Sequence, residues 1–132
     1  MKYLLDTAVW LWSLSASERI GGEGLEILEN PGNEVYLSAA SSWEISIKSG
    51  LGKLRLPEPP TRYVPKRLAS QGIRSLPITH QHALAVSELP AHHNDPFDRF
   101  LIAQARLEGM TILTADRVFQ AYAVEIVWCK TY

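Results

Sequence analysis

The chain has 132 residues, 46% of them hydrophobic, with 13 basic and 14 acidic side chains and a formal charge of −1. That size suits one globular domain, expected over residues 1–132, burying roughly two-thirds of its unfolded surface. Near-neutrality excludes a chain-wide basic field for nucleic acid and leaves only local patches for such a partner. The lone cysteine, Cys129, excludes an internal disulfide framework and fits a reducing compartment. No apolar run approaches a membrane span, and "MKYLLD" meets an acid before a signal-peptide core can form, so a soluble cytoplasmic chain with no membrane partner is expected.

"KYLLD" reads as a short buried strand ending at Asp6, and "TAVWLWSLS" as a helix following it directly. Ser17 is placed to cap a second helix running towards Asn30, with Gly21 and Gly22 weakening its first turns, and "NPGN" is a turn. "EVYLSA" is the next strand. "SSWEISIKSGLG" then sets Trp43 and Ile47 on one helical face and Glu44 and Lys48 on another, with Gly50 or Gly52 as the stop. After the proline-rich "KLRLPEPPTRY", residues 61–71 can be helical if Pro65 sits early or kinks the helix. "GIRSLPI" is a strand, and Thr79 caps a helix through Glu88. "LPAHHN" is a loop leading to a helix from Pro96, and "MTILTAD" and "AVEIVWC" are strands around a short helix. Strands alternating with helices imply an α/β fold whose parallel sheet is covered on both faces, because parallel strands require crossovers.

Asp6, Asp98 and Asp116 fall at junctions that such a fold brings together, beyond the carboxyl ends of its strands, and Glu44 lies one turn into the helix after a strand. Four carboxylates meeting there repel one another, and a divalent cation is the natural way to keep them ionised. Oxygen ligands favour Mg²⁺ or Mn²⁺, which can generate a nucleophile for phosphodiester hydrolysis. Each acid also has a plainer reading. Asp6 or Asp116 alone is equally a helix N-cap, and Glu44 with Lys48 can be an exposed ion pair. Pro96 suits the first helical position, which makes Asp95 the N-cap and puts Asp98 at the third position. Asp98 shares a helical stripe with Ile102 and Ala105 and so faces inward.

"LLDT", "SSWEISIKSGLGKL", "NDPFDRFLIAQA" and "ILTADRVF" resemble the successive motifs of PIN-domain ribonucleases, specifically VapC-type toxins of bacterial toxin-antitoxin modules. The likeness runs nearly end to end; the two longer motifs are specific, whereas "LLDT" or "TAD" alone is weak. It implies a PIN-like three-layer fold with a mostly parallel central sheet flanked by helices. It further implies a metal-dependent endoribonuclease in which Asp6, Glu44, Asp98 and Asp116 surround one or two Mg²⁺ or Mn²⁺ ions, Glu44 binding metal or orienting the attacking water. Thr7, Asp95 and Thr114 would stand behind those ligands, and the partners implied are an RNA substrate, a cognate antitoxin and a second protomer.

RNA phosphates need cations near the acids, and Lys48, Arg99 and Arg117 neighbour Glu44, Asp98 and Asp116 in sequence. Such residues also serve simply to neutralise carboxylates. Lys53, Arg55, Arg62, Lys66 and Arg67 read as a solvated face able to extend that strip. His80 and His82 point apart on a helix and look structural; His92 and His93 match no zinc spacing and are read as loop residues able to touch substrate. Trp10 and Trp12 make the first helix apolar nearly all round, consistent either with burial in its own domain or with a surface for a protomer or antitoxin peptide. Two further classes compete. A phosphatase wants an acid where Ala8 stands, and a receiver wants adjacent acids near its first strand, so both fit poorly. A non-catalytic PIN-like module binding RNA or protein is the other alternative, against which the presence of all four acids counts.

Overall fold

The computed structural model describes residues 1–129. Five strands, β1 (Lys2–Leu5), β2 (Glu34–Ser38), β3 (Arg74–Leu76), β4 (Thr111–Thr114) and β5 (Ile126–Trp128), form one sheet in the order β3-β2-β1-β4-β5. Every pairing is parallel. β1 is central because Tyr3, Leu4 and Leu5 are apolar on both faces and can be covered from both sides. β4, buried at all four positions, lies beside it with Leu4 opposite Ile112. Six helices cover the sheet: α1 (Thr7–Ser15), α2 (Gly22–Glu29), α3 (Ala39–Gly50), α4 (Pro60–Gln71), α5 (His80–Ala85) and α6 (Pro96–Glu108).

Alternation along the strands makes two cores. Leu5, Leu37 and Leu113 pack with Val9 and Trp10 of α1, Ile45 of α3 and Val64 and Leu68 of α4. Leu4 and Ile112, on the opposite face, pack with Leu101, Ile102 and Ala105 of α6 and with Phe119. The result is the expected three-layer α/β architecture, with the sheet wholly parallel. Trp10 is fully buried, its Nε1 donating to Gln71 Oε1 at 2.9 Å, so that residue is covered by its own chain.

Helix boundaries depart from the sequence reading at three places. The helix expected from Ser17 breaks into a 3₁₀ turn at Ser17–Arg19, an extended Ile20 and Gly21, and α2 proper. Ile20 is drawn into the core, and glycine offers little resistance to leaving the helical conformation. The helix from Thr79 ends at Ala85 and tightens into a 3₁₀ turn at Val86–Glu88, and the short helix at Arg117–Ala121 is likewise 3₁₀. Pro65 is accommodated within α4, which keeps Val64 and Leu68 on the core and stops at Gly72 with φ 67°.

Candidate active site

Four segments deliver acids to one cleft beyond the carboxyl edge of the sheet: the β1–α1 junction, α3, the first turn of α6 and the residues after β4. Its volume is about 750 Å³, and Asp6, Glu44, Asp95, Asp98 and Asp116 all line it. Asp6 occupies the N-cap position of α1, yet its side chain makes no capping bond there. Its Oδ2 accepts from Thr114 Oγ1 at 2.8 Å, a contact that ties the chain's first strand to its fourth. Burial pushes the Asp6 carboxyl up to about 6; the Thr114 bond opposes this, and the charges of Glu44 and Asp116 add to it.

Asp98 stands above the buried Ile102 and Ala105, as its helical phase predicts. Its Oδ2 lies 2.7 Å from His93 Nε2. Burial, and then the Asp6 charge, raise its carboxyl to about 7 against the lowering effect of the His93 bond. Asp95 is the N-cap of α6, accepting from Phe97 N at 2.8 Å and Asp98 N at 3.2 Å, and it also borders the cleft. Asp116 divides its work: Oδ1 caps the following turn through Val118 N at 3.0 Å, while its own amide donates to Thr114 Oγ1 at 3.0 Å. Thr114 thus organises two of the four acids.

Glu44 is 6% exposed, so the exposed-pair reading does not hold for it. Its Oε2 meets Lys48 Nζ at 2.6 Å, which raises the Lys48 pKa, but Oε1 is buried with no hydrogen-bond partner. Such an orphaned carboxylate oxygen is costly unless something positive engages it.

The flanking residues sort differently from their expected roles. Thr7 donates to Ser41 Oγ at 2.8 Å, fastening α1 to α3 rather than touching a carboxylate. Arg99, expected as a phosphate contact beside Asp98, points the other way, because neighbours on a helix project about 100° apart. Its guanidinium donates to the carbonyls of Val86 at 3.1 Å, Pro90 at 3.0 Å and His93 at 3.3 Å, and it does not line the cleft. Lys48 and Arg117 do line it, Arg117 resting over the Trp128 ring at 5.3 Å. Of the five residues read as an extended basic strip, Lys53 reaches the cleft wall and Lys66 instead pairs with Glu58 at 3.3 Å. His82 is buried and structural, bonding Thr79 N at 3.1 Å and Glu108 Oε2 at 2.7 Å. His93 was legible in sequence only as a loop residue, since its approach to Asp98 depends on how that loop folds back.

A wholly parallel α/β sheet with acids from separate segments converging beyond its carboxyl edge defines the class: a domain built around a polyacidic cleft. The chain belongs to the PIN domain family, whose model matches residues 3–125. It is similar to Ribonuclease VapC16 of Mycobacterium tuberculosis, at 46% identity over 56 residues, 42% of this chain and 40% of that relative. The match therefore spans less than half the length of the curated relative. Among solved structures, VapBC2 from Rickettsia felis, bound to a DNA fragment from its promoter, superposes with a TM-score of 0.74 at 16% identity, covering 98% of this chain and 100% of that one. DNA-bound VapBC from Salmonella typhimurium gives 0.71 at 19% identity, covering 96% and 97%. FitAB bound to an IR36 DNA fragment gives 0.63 at 24%, covering 95% and 93%. At these identities the structures establish a shared fold.

Proposed function

We propose that this PIN domain is a metal-dependent endoribonuclease of the VapC type, hydrolysing RNA phosphodiester bonds at Asp6, Glu44, Asp98 and Asp116 with Mg²⁺ or Mn²⁺ and restrained by a cognate antitoxin. The observation that carries this reading is the convergence of these acids in one cleft, with a buried oxygen of Glu44 left without a donor. Carboxylates held partly protonated by burial and mutual repulsion are the donor set expected of a site completed by a divalent cation. An all-oxygen acidic set suits Mg²⁺ or Mn²⁺. When bound, such an ion neutralises the acids, eases deprotonation of water and steadies the charge developing on phosphate.

This chain's own groups prepare that chemistry. Thr114 orients Asp6 and the backbone of Asp116, Lys48 fixes one oxygen of Glu44, and the free oxygen is available to orient a water or meet a cation. Lys53 and Arg117 supply positive charge at the cleft wall for RNA phosphates. The resemblance to VapC proteins and the VapBC folds support antitoxin and homodimer partners. The test is cleavage of RNA by the purified protein: EDTA abolishes it, and Asp6→Asn or Asp98→Asn reduces it more than about 100-fold. Retention of cleavage by both variants, with contaminating nuclease excluded, overturns the mechanism. RNA binding without metal-dependent turnover would instead favour the non-catalytic module.

A further inference from the structure

One potential metal-binding group, His93, stands behind the cleft-lining Asp98 and is not accounted for by the acidic motif. A ring nitrogen of His93 and carboxylate oxygens of Asp98 and Asp116 all lie within 4.8 Å of one another, and His93 Nε2 is 2.7 Å from Asp98 Oδ2. Opposite ligands of a six-coordinate cation are separated by about 4 Å, so only a small adjustment is needed for all three to reach one ion. The imidazole is also held in position by its own loop. Arg99 bonds the carbonyls of Val86, Pro90 and His93, and Tyr122 donates from its hydroxyl to Pro90 O at 3.0 Å. A segment pinned at four carbonyls by one guanidinium, Leu89 O included, presents His93 to Asp98 in a set direction, as a preorganised ligand requires. The buried Glu44 Oε1, from a residue of the same cleft, is independently an unpaired acceptor that a cation would satisfy.

We propose that His93 contributes Nε2 as a nitrogen ligand to the cation held by Asp98 and Asp116, so that this site favours Mn²⁺ or another transition-metal ion over Mg²⁺. Imidazole binds first-row transition ions well, whereas Mg²⁺ prefers oxygen and gives up its water reluctantly. Arg99 and Tyr122 are then positioning residues that act through the loop. The inference rests on the metal-dependent reading above and is tested separately from it.

The experiment titrates the metal-free protein with Mn²⁺ and with Mg²⁺ by calorimetry, and records pulsed EPR of the Mn²⁺ form for nitrogen coupling. His93→Ala and His93→Gln are compared with wild type, folding being checked by circular dichroism; the glutamine retains a donor for Asp98 but no imidazole nitrogen. Expected are directly coordinated nitrogen coupling in wild type, its loss in both variants, and a fall of about tenfold or more in Mn²⁺ affinity. Mg²⁺ affinity should change far less. If wild type binds Mn²⁺ without that coupling, or if His93→Gln keeps the wild-type preference for Mn²⁺ over Mg²⁺, His93 merely orients Asp98 and the proposal falls while the nuclease reading stands. If no variant and no wild type binds either ion, both readings fall.

Discussion

Asp98→Asn should make the metal-free protein more stable above neutral pH, although it removes a central acid of the proposed site. In the folded chain the Asp98 carboxyl is raised from 3.8 to about 7, chiefly by burial and then by the Asp6 charge. A group whose folded pKa is raised contributes full stability below its unfolded pKa and loses it as pH rises through the folded value. The complete linkage for such a shift is about 4 kcal/mol. Water entering the open cleft attenuates it, and about 2 kcal/mol is the expected gain at pH 8. Asparagine preserves the shape and can still accept the hydrogen bond that His93 offers at 2.7 Å. Urea unfolding in EDTA, monitored by tryptophan fluorescence at pH 5 and pH 8, measures both stabilities. The variant should lead clearly at pH 8 and by much less at pH 5. Equal midpoints at pH 8, or a gap that does not shrink at pH 5, would refute the claim that burial and the Asp6 charge raise the Asp98 carboxyl in the absence of metal.

Thr114→Val deletes the donor to Asp6 and the acceptor for the Asp116 amide. It should cost about 1–3 kcal/mol in urea unfolding and raise the Asp6 pKa further, which carboxyl NMR titration of the metal-free protein reads directly. Arg99→Met should destabilise by about 2 kcal/mol through its lost carbonyl bonds, yet leave the salt dependence of oligonucleotide binding unchanged. Arg117→Ala should reduce that salt slope by about 1. Gly24→Ala sets a Cβ 2.8 Å from both Cys129 Sγ and Ile20 Cγ2. Overpacking of that kind costs about 1–3 kcal/mol by thermal unfolding, and adding Cys129→Ala should recover part of it.

Asp6, Asp98 and Asp116 were legible because each sits near where a strand or loop gives way to a helical turn, whereas Glu44 lies inside α3. Runs such as "YLL" and "TILT" announce strands buried on both faces, so an aspartate just beyond them falls at the sheet's carboxyl edge. Pro96 fixes the phase of α6, separating the capping Asp95 from the inward Asp98 three residues on. Direction was harder to read wherever it depends on how a loop returns. Adjacency to Asp98 suggested that Arg99 meets phosphate, but one step along the helix turns it to the loop beneath. Thr7 stands next to Asp6, yet α3 packs close enough for Ser41 to accept its hydroxyl. Gly21 and Gly22 mark a weak helix start in the sequence, but the pull of Ile20 into the core, which breaks the helix there, is a tertiary effect.

The bond from Thr114 to Asp6 spans 108 positions of sequence, and β1 pairs with β4 from Tyr3 to Leu5. During synthesis the opening segment must wait, its apolar strand uncovered on one edge, until residues beyond 110 leave the ribosome. A chain made only as far as residue 110 therefore has neither β4 nor Asp116, and the proposed site is incomplete. Removing either β1 or β4 should take away the scaffold and the proposed site in a single event.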